Sequence, residues 1–275
     1  MPQAALPLGV VIPALDAATT LSATLESLRP AITAGAEVIV VDGGSSDSTR
    51  EIAESNHVRV ERCAGGMYAA LNHGFRAVQR TWLTWINADD LLYPDTLNDR
   101  IRAAGNAHVL YGPVDFVDLA GRFVHSWTSA DPGDLLQLYR AGYSPLLQQG
   151  TLFHRDVFEQ LGGFSEAYRF VGDADFWWRA LEAGFAFRRC AYPSLAAFRL
   201  HGGQLSQRYA AQMRAEHDTM VRAHGGRRRT IRSWLALCRF RGRNLSSYAV
   251  RALRRRELEG CVRLPGSYDV VRRGE

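Results

Sequence analysis

The sequence predicts an α/β fold, with a mixed, mostly parallel central sheet flanked by helices and a basic helical extension at the C-terminus. Short apolar runs alternate with amphipathic segments over the first hundred residues, two of those runs pass directly into Gly- or Asx-rich turns, and an arginine-dense segment closes the chain. Runs such as Val38-Ile39-Val40-Val41 are apolar throughout rather than every second residue, as a parallel strand covered on both faces requires.

Strand Leu8–Ile12 leads to a helix over Ala18–Leu28, strand Glu37–Val41 to a helix over Ser46–Ser55, and strand Val58–Arg62 to helix Met67–Val78 and strand Trp82–Ile86. The pattern then turns mixed. Helix Pro94–Ala104 precedes a strand at His108–Tyr111, and Val114–Asp118 and Arg122–Trp127 flank Leu119-Ala120-Gly121 as a hairpin. Helix Pro132–Arg140, strand Thr151–His154, helix Arg155–Leu161 and helix Asp173–Ala183 follow, the last closed by Gly184. Strands Ala186–Ala191 and Leu195–Leu200 lead into helices at Gln207–His224 and Ile231–Arg256.

With 275 residues, 47% of them hydrophobic, the chain can bury a large core. Cys63, Cys190, Cys238 and Cys261 are widely spaced, which suggests neither a zinc site nor a disulfide framework and fits a reduced, cytoplasmic compartment. The N-terminus lacks the basic region of a signal peptide, and no apolar run approaches the roughly 18 residues that cross a bilayer. Residues 1–200 carry 16 arginines against 22 acidic residues, and residues 201–275 carry 17 against 6. Lysine is absent, so every cation is an arginine, suited to bidentate contact with phosphates. Basic charge without a base-reading or stacking motif does not point to nucleic acid.

Two strand tips carry the chemistry. The apolar run from Trp82 ends abruptly in Asn87-Ala88-Asp89-Asp90, which sets hard oxygen ligands at the crevice where open α/β sheets bind substrates, a position suited to a metal and a diphosphate. An Asx-rich turn is the plainer reading of the same residues. Strand Glu37–Val41 runs into Asp42-Gly43-Gly44-Ser45-Ser46-Asp47, where Asp42 can accept hydrogen bonds from a base or ribose, or merely from backbone amides.

The successive blocks VVIPALDAATTLSATLESL, VIVVDGGSSDSTREIAE, GGMYAALNHGFRAVQRTWLTWINADD and GGFSEAYRFVGDADFWWRALEAG resemble those of a family 2 glycosyltransferase of GT-A fold, most closely the bacterial branch that builds O-antigen and exopolysaccharide repeats. The resemblance covers roughly residues 8–205. It implies a nucleotide-diphospho-sugar transferase that moves a sugar to a glycan hydroxyl with inversion, using Mn²⁺ or Mg²⁺. By position, Pro13, Asp16 and Asp42 would border the nucleotide, Asp89 would bind the metal with Asp90 and Asn87 beside it, and Tyr68 and Asn72 would line the sugar-nucleotide pocket. His201 would touch the metal or diphosphate.

Asp173, at the start of a helix where free N–H groups favour its charged form, would be the general base. Asp175, Gln148 and Trp177 would serve the acceptor, Trp177 by stacking on a sugar ring, although core packing is the commoner fate of helical aromatics. The chain departs from the family pattern at Asn87, Ala69 and Gly172, where acidic residues are usual, and at Gln148, where histidine is frequent.

Residues 1–205 are thus expected to form the glycosyltransferase domain and 206–275 an Arg-rich helical extension. An amphipathic basic helix with a tryptophan suits an anionic membrane surface, which implies a peripheral location on the inner face of the plasma membrane and a polyprenyl-linked acceptor; packing on the body is the alternative. A non-catalytic nucleotide-sugar-binding protein of the same fold is the rival function. A nucleotidyltransferase would need a Gly- and Arg-rich activating loop that Pro13–Thr20 lacks.

Overall fold

Strands β1 (Leu8–Ala14), β2 (Glu37–Asp42), β3 (Arg59–Arg62) and β4 (Trp82–Trp85) alternate with helices α1 (Leu21–Thr33), α2 (Thr49–Ser55) and α3 (Met67–Ala77). These coordinates are a computed structural model describing residues 5–253, apart from 203, 205–207 and 227–228. The parallel half is joined by β6 (Val109–Tyr111), β9 (Thr151–His154) and β10 (Phe187–Arg189) into a seven-stranded sheet of order β10-β6-β9-β4-β1-β2-β3. Within it β9 alone runs against its neighbours.

Alternate residues of the strands feed opposite cores. Val11, Ile39, Val41, Leu83 and Trp85 face α3, whereas Leu8, Val10, Ile12, Val38 and Val40 face α1. Burying each such side chain contributes about 1.5–3 kcal/mol, which is why the strands are apolar on both faces. Helix α3 approaches closely at Gly74, where a Cβ would stand 2.5 Å from Val11 Cγ1.

A second sheet, β5-β11-β7-β8, consists of β5 (Leu91–Leu92), β11 (Ala196–Arg199), β7 (Val114–Val117) and β8 (Phe123–Trp127). Strand β5 has only two residues and leaves no sequence signal. Its antiparallel pairing of Leu91 with Ala197 and of Leu92 with Ala196 ties the segment after Asp90 to the strand before His201. The helix expected at Pro94–Ala104 begins as a 3-10 turn, Pro94–Thr96, and continues as α4 (Leu97–Arg102). Helices α5 (Pro132–Arg140), α6 (Arg155–Leu161) and α7 (Gly172–Glu182) complete the body.

In the C-terminal segment, α8 (Ala210–Ala223) is followed by α9 (Ile231–Arg243) and α10 (Leu245–Leu253). One long helix was expected here. Asn244 divides it, because its amide leaves the helix to pair with both backbone groups of Thr128 at 2.8 and 2.9 Å. Helix α9 is opened by a capping box between Thr230 and Ser233. Met220, Val221, Ala236 and Phe240 enter the main core, and Arg239 holds Asp134 through two bonds of 2.8 and 2.5 Å. Part of the charge asymmetry is thereby neutralised between extension and body. The expected helix limits Gln207 and Arg256, and Cys261, lie outside the described residues. Among the described residues no helix is long and apolar enough to cross a membrane.

Candidate active site

The topology collects most of the expected site on one edge of the large sheet. Pro13 lies near the end of β1 and Asp16 just beyond it, Asp42 ends β2, Tyr68 stands in the first turn of α3 just after β3, and Asn87–Asp90 follow β4, all at the carboxyl ends of parallel strands. Gln148 precedes the antiparallel β9 and so arrives at the same edge.

Beyond β4 the two aspartates part company. Asp90 is fully buried, with Oδ1 accepting from Arg199 N at 3.0 Å and Oδ2 accepting from Gln149 Nε2 at 2.8 Å and Asn87 Nδ2 at 3.0 Å. Burial and then the neighbouring Asp89 charge push its carboxyl well above the ordinary range. Asp90, expected beside the nucleotide sugar, is therefore turned inward, and Asn87, expected there too, is half-buried and donates to it. Asp89 remains accessible, its Oδ2 standing 2.8 Å from His201 Nε2. Arg199 fixes this turn by donating from Nε to Asp89 O at 2.6 Å and from Nη2 to Thr20 O at 3.0 Å. Arg199 was not singled out from sequence, since it acts on a turn far away along the chain.

The loops after β1 and β2 are stitched together. Asp42 Oδ1 accepts from Ser45 N at 2.9 Å and Ser45 Oγ at 2.5 Å, while Oδ2 is buried without a hydrogen bond. Asp16, at φ +48°, accepts from Ser46 N at 2.8 Å, and its own N–H donates to Ser45 Oγ at 2.9 Å. Pro13 is half-buried beneath this loop, in register with Val41.

At the start of α7, Asp173 Oδ1 accepts from the Tyr68 hydroxyl at 3.3 Å. Burial raises the Asp173 carboxyl to about 6, against the lowering effect of the Ala174 N–H and the Tyr68 bond. Gly172 is closely covered by Tyr68, since a Cβ there would meet the ring at 2.8–2.9 Å. The lack of a side chain at Gly172 thus leaves the phenol room to reach Asp173.

Four further expectations receive a definite placement. Asn72 does not share the exposure expected of a pocket residue: it is buried and holds the 164–166 turn, donating to Phe164 O and Glu166 Oε1 at 2.9 Å each and accepting from Phe164 N at 2.8 Å. Asp175 is also packed inward, its Oδ2 receiving Arg179 Nε at 2.8 Å and its Oδ1 lying 3.0 Å from His224 Nε2. Trp177 is 1% exposed and stacks on Trp85 with ring centroids 5.9 Å apart, so it is core and not a platform for a sugar. Gln148 is buried with both amide atoms lacking hydrogen-bond partners.

Asp89 and His201 supply one carboxylate oxygen and one imidazole nitrogen, donors that Mn²⁺ accepts and Mg²⁺ partly shares. Among the described residues no cluster of three or more His, Cys, Asp or Glu side chains is placed to hold a metal. Two donors alone leave most of a cation's coordination positions to other groups.

A mostly parallel sheet with carboxylates at its strand tips has the layout of an α/β enzyme whose site lies at the carboxyl ends of its strands. Residues 9–162 match Glycosyl transferase family 2, and the chain belongs to that family. It is similar to the PGL/p-HBAD biosynthesis glycosyltransferase of Mycobacterium tuberculosis, 28% identical over 205 residues spanning 70% of this chain and 77% of the relative. Among solved structures it resembles S. aureus TarS in complex with UDP-GlcNAc, with a TM-score of 0.65 at 18% identity over 88% of this chain and 73% of that one. Glucosyl-3-phosphoglycerate synthase from M. tuberculosis, in complex with Mn²⁺, UDP and phosphoglyceric acid, aligns with a TM-score of 0.54 at 17% identity over 78% of this chain and 77% of that one. The fold is the GT-A fold and the protein is a glycosyltransferase, which disposes of the non-catalytic alternative.

Proposed function

We propose that the protein moves one sugar from a nucleotide diphosphate sugar to a glycan hydroxyl in a single inverting displacement, with Asp173 as the base. The acceptor oxygen bonds to the anomeric carbon as the bond from that carbon to the diphosphate breaks, and the acceptor's proton passes to Asp173. The observation that carries this reading is the Asp173 carboxyl, raised by burial to about 6 and bonded by the hydroxyl of Tyr68, whose helix follows β3 as the Asn87–Asp90 turn follows β4. A base whose pKa lies near the working pH is ionised and still basic enough to take a proton.

A divalent cation, Mn²⁺ or Mg²⁺, held by Asp89 and His201 would neutralise the charge that develops on the departing diphosphate. The buried, unpartnered Oδ2 of Asp42 supports contact with the base or ribose, and the two unpartnered amide atoms of Gln148 support contact with acceptor hydroxyls. Asp16 and Pro13 would flank the nucleotide, and Tyr68 would orient the base.

A lipid-linked acceptor at the inner face of the plasma membrane is favoured by α9 and α10. These helices expose Ile231, Trp234, Leu235, Leu245 and Leu253 among Arg232, Arg241 and Arg243, the composition of an interfacial helix on anionic lipid. The relative named for PGL/p-HBAD biosynthesis agrees with a glycolipid or glycan product.

A thermal-shift screen of UDP-, GDP-, dTDP- and CMP-sugars, with and without Mn²⁺, identifies the donor, because a ligand bound only by the folded state raises Tm. With that donor, Asp173→Asn should lose about 10²–10⁴-fold in turnover at nearly unchanged donor affinity. Turnover like that of the wild type in this variant rules out the base. Co-sedimentation with phosphatidylglycerol vesicles should fall in a Trp234→Ser, Leu235→Ser double variant, and equal sedimentation removes the membrane reading.

A further inference from the structure

Glu216 lies on α8, beyond the stretch that matches the family, and its carboxylate receives three consecutive backbone N–H groups. Arg169 N donates to Oε1 at 2.7 Å, and Phe170 N and Val171 N donate to Oε2 at 2.6 and 3.0 Å. These residues lead into α7, whose second residue is Asp173. Amides just before a helix have no carbonyl within it to reach, so an acceptor from elsewhere must satisfy them, and a charged one binds about twice as strongly as a neutral one. The same turn is gripped by ring contacts. Arg169 lies over Phe170 and Tyr209 at 5.1 and 4.9 Å, and the two rings are 5.5 Å apart.

At its other end α8 delivers His224, whose ring stacks on Trp178 at 4.6 Å and lies 3.0 Å from Asp175. Helix α8 thus holds α7 on both sides of Asp173. The Glu216 carboxylate thus ties a C-terminal helix to the turn that aims Asp173.

We propose that Glu216 is a positioning residue for sugar transfer, fixing the 169–171 turn and with it the direction in which Asp173 presents its carboxylate beside Tyr68. The proposal rests on Asp173 being the base. Four groups bear on Asp173: the Ala174 N–H of its own helix, the Tyr68 hydroxyl from α3, its own backbone N–H, and the Glu216 charge from α8. The Glu216 charge raises both Asp173 and Tyr68, so removing it leaves an electrostatic mark that a purely structural contact would not.

The test is a carbon-13 titration of the Asp173 carboxyl in the full chain, assigned with Asp173→Asn, together with amide exchange at residues 169–171, in wild type and in Glu216→Gln. The expected result is a raised Asp173 in wild type, a lower midpoint in Glu216→Gln, and exchange at 169–171 on the order of tenfold faster in the variant. An Asp173 raised in both proteins with equal midpoints and unchanged exchange overturns the role of Glu216 and leaves the base reading standing. An Asp173 that titrates in the ordinary carboxylate range in wild type removes the base reading itself. Should Glu216→Gln not fold, exchange at 169–171 in wild type is followed through the titration of Glu216, and protection indifferent to that titration overturns the proposal.

Discussion

Asp89 Oδ2 and His201 Nε2 lie 2.8 Å apart although 112 residues separate them in the chain. The two-residue strand β5 and its pairing with β11 close that gap, and Arg199 locks it by bonding the backbone on the Asp89 side.

Calorimetry of nucleotide diphosphate binding, with Mn²⁺ and with chelator, checks the role of this pair. His201→Ala and Asp89→Ala should each weaken Mn²⁺-dependent affinity about tenfold or more while leaving metal-free affinity nearly unchanged. Equal affinities with and without metal in wild type count against a cation at this site.

Gly172→Ala tests the contact between Tyr68 and Asp173 without touching either residue. The added methyl meets the phenol ring at 2.8–2.9 Å, so the ring must shift, at a cost of about 1–3 kcal/mol for an overpacked site. Tyr68→Phe removes the hydrogen bond alone. That bond lowers Asp173, so its loss should move the acid limb of kcat/KM from about 6 to higher pH, since only the ionised carboxyl accepts a proton. An unmoved acid limb in Tyr68→Phe separates Asp173 from the rate.

The strand tips were legible because a parallel sheet gives each carboxyl end the same fate: Asp42 and Asp89 had to reach one edge once β2 and β4 were recognised. The limits of α5, β9 and α6 were equally plain, since Pro132 opens one helix and β-branched or aromatic runs bound the others. Which of Asp89 and Asp90 faces outward was not legible. That choice is made by Gln149 and Arg199, donors 59 and 109 residues further on. Tyr68 and Asn72 share a helical face by spacing, yet one reaches Asp173 and the other the 164–166 turn, because partners in space and not periodicity decide a polar side chain's role.

Trp177 makes the same point for aromatics. Phe176, Trp177 and Trp178 are three consecutive residues, all fully buried, so α7 is covered on most of its circumference and no helical face remains for a sugar. Trp177→Ala should therefore cost about 3–5 kcal/mol in urea unfolding. Loss of acceptor affinity without loss of stability would restore the stacking role.

The pairing of His224 with Asp175 makes stability depend on pH in a direction that can be worked out. The Asp175 bond holds His224 above its ordinary value of 6.5, and the stabilisation it supplies is therefore full below that value and lost as pH rises through the raised one. Burial works to raise Asp175, but the His224 bond and the Arg179 charge together hold it below 3.8, so its contribution is present above that value and fades only as pH falls through the lowered one. Both groups are charged between these limits, and the contact is strongest on the acid side of neutrality. A scan of Tm between about pH 5 and pH 9 should fall on the alkaline side in wild type and flatten there in His224→Gln. Parallel curves for the two proteins would show that the contact between α8 and α7 carries no proton-linked stability, and that α8 is held by the Trp178 ring, the Glu216 carboxylate and the burial of Met220 and Val221.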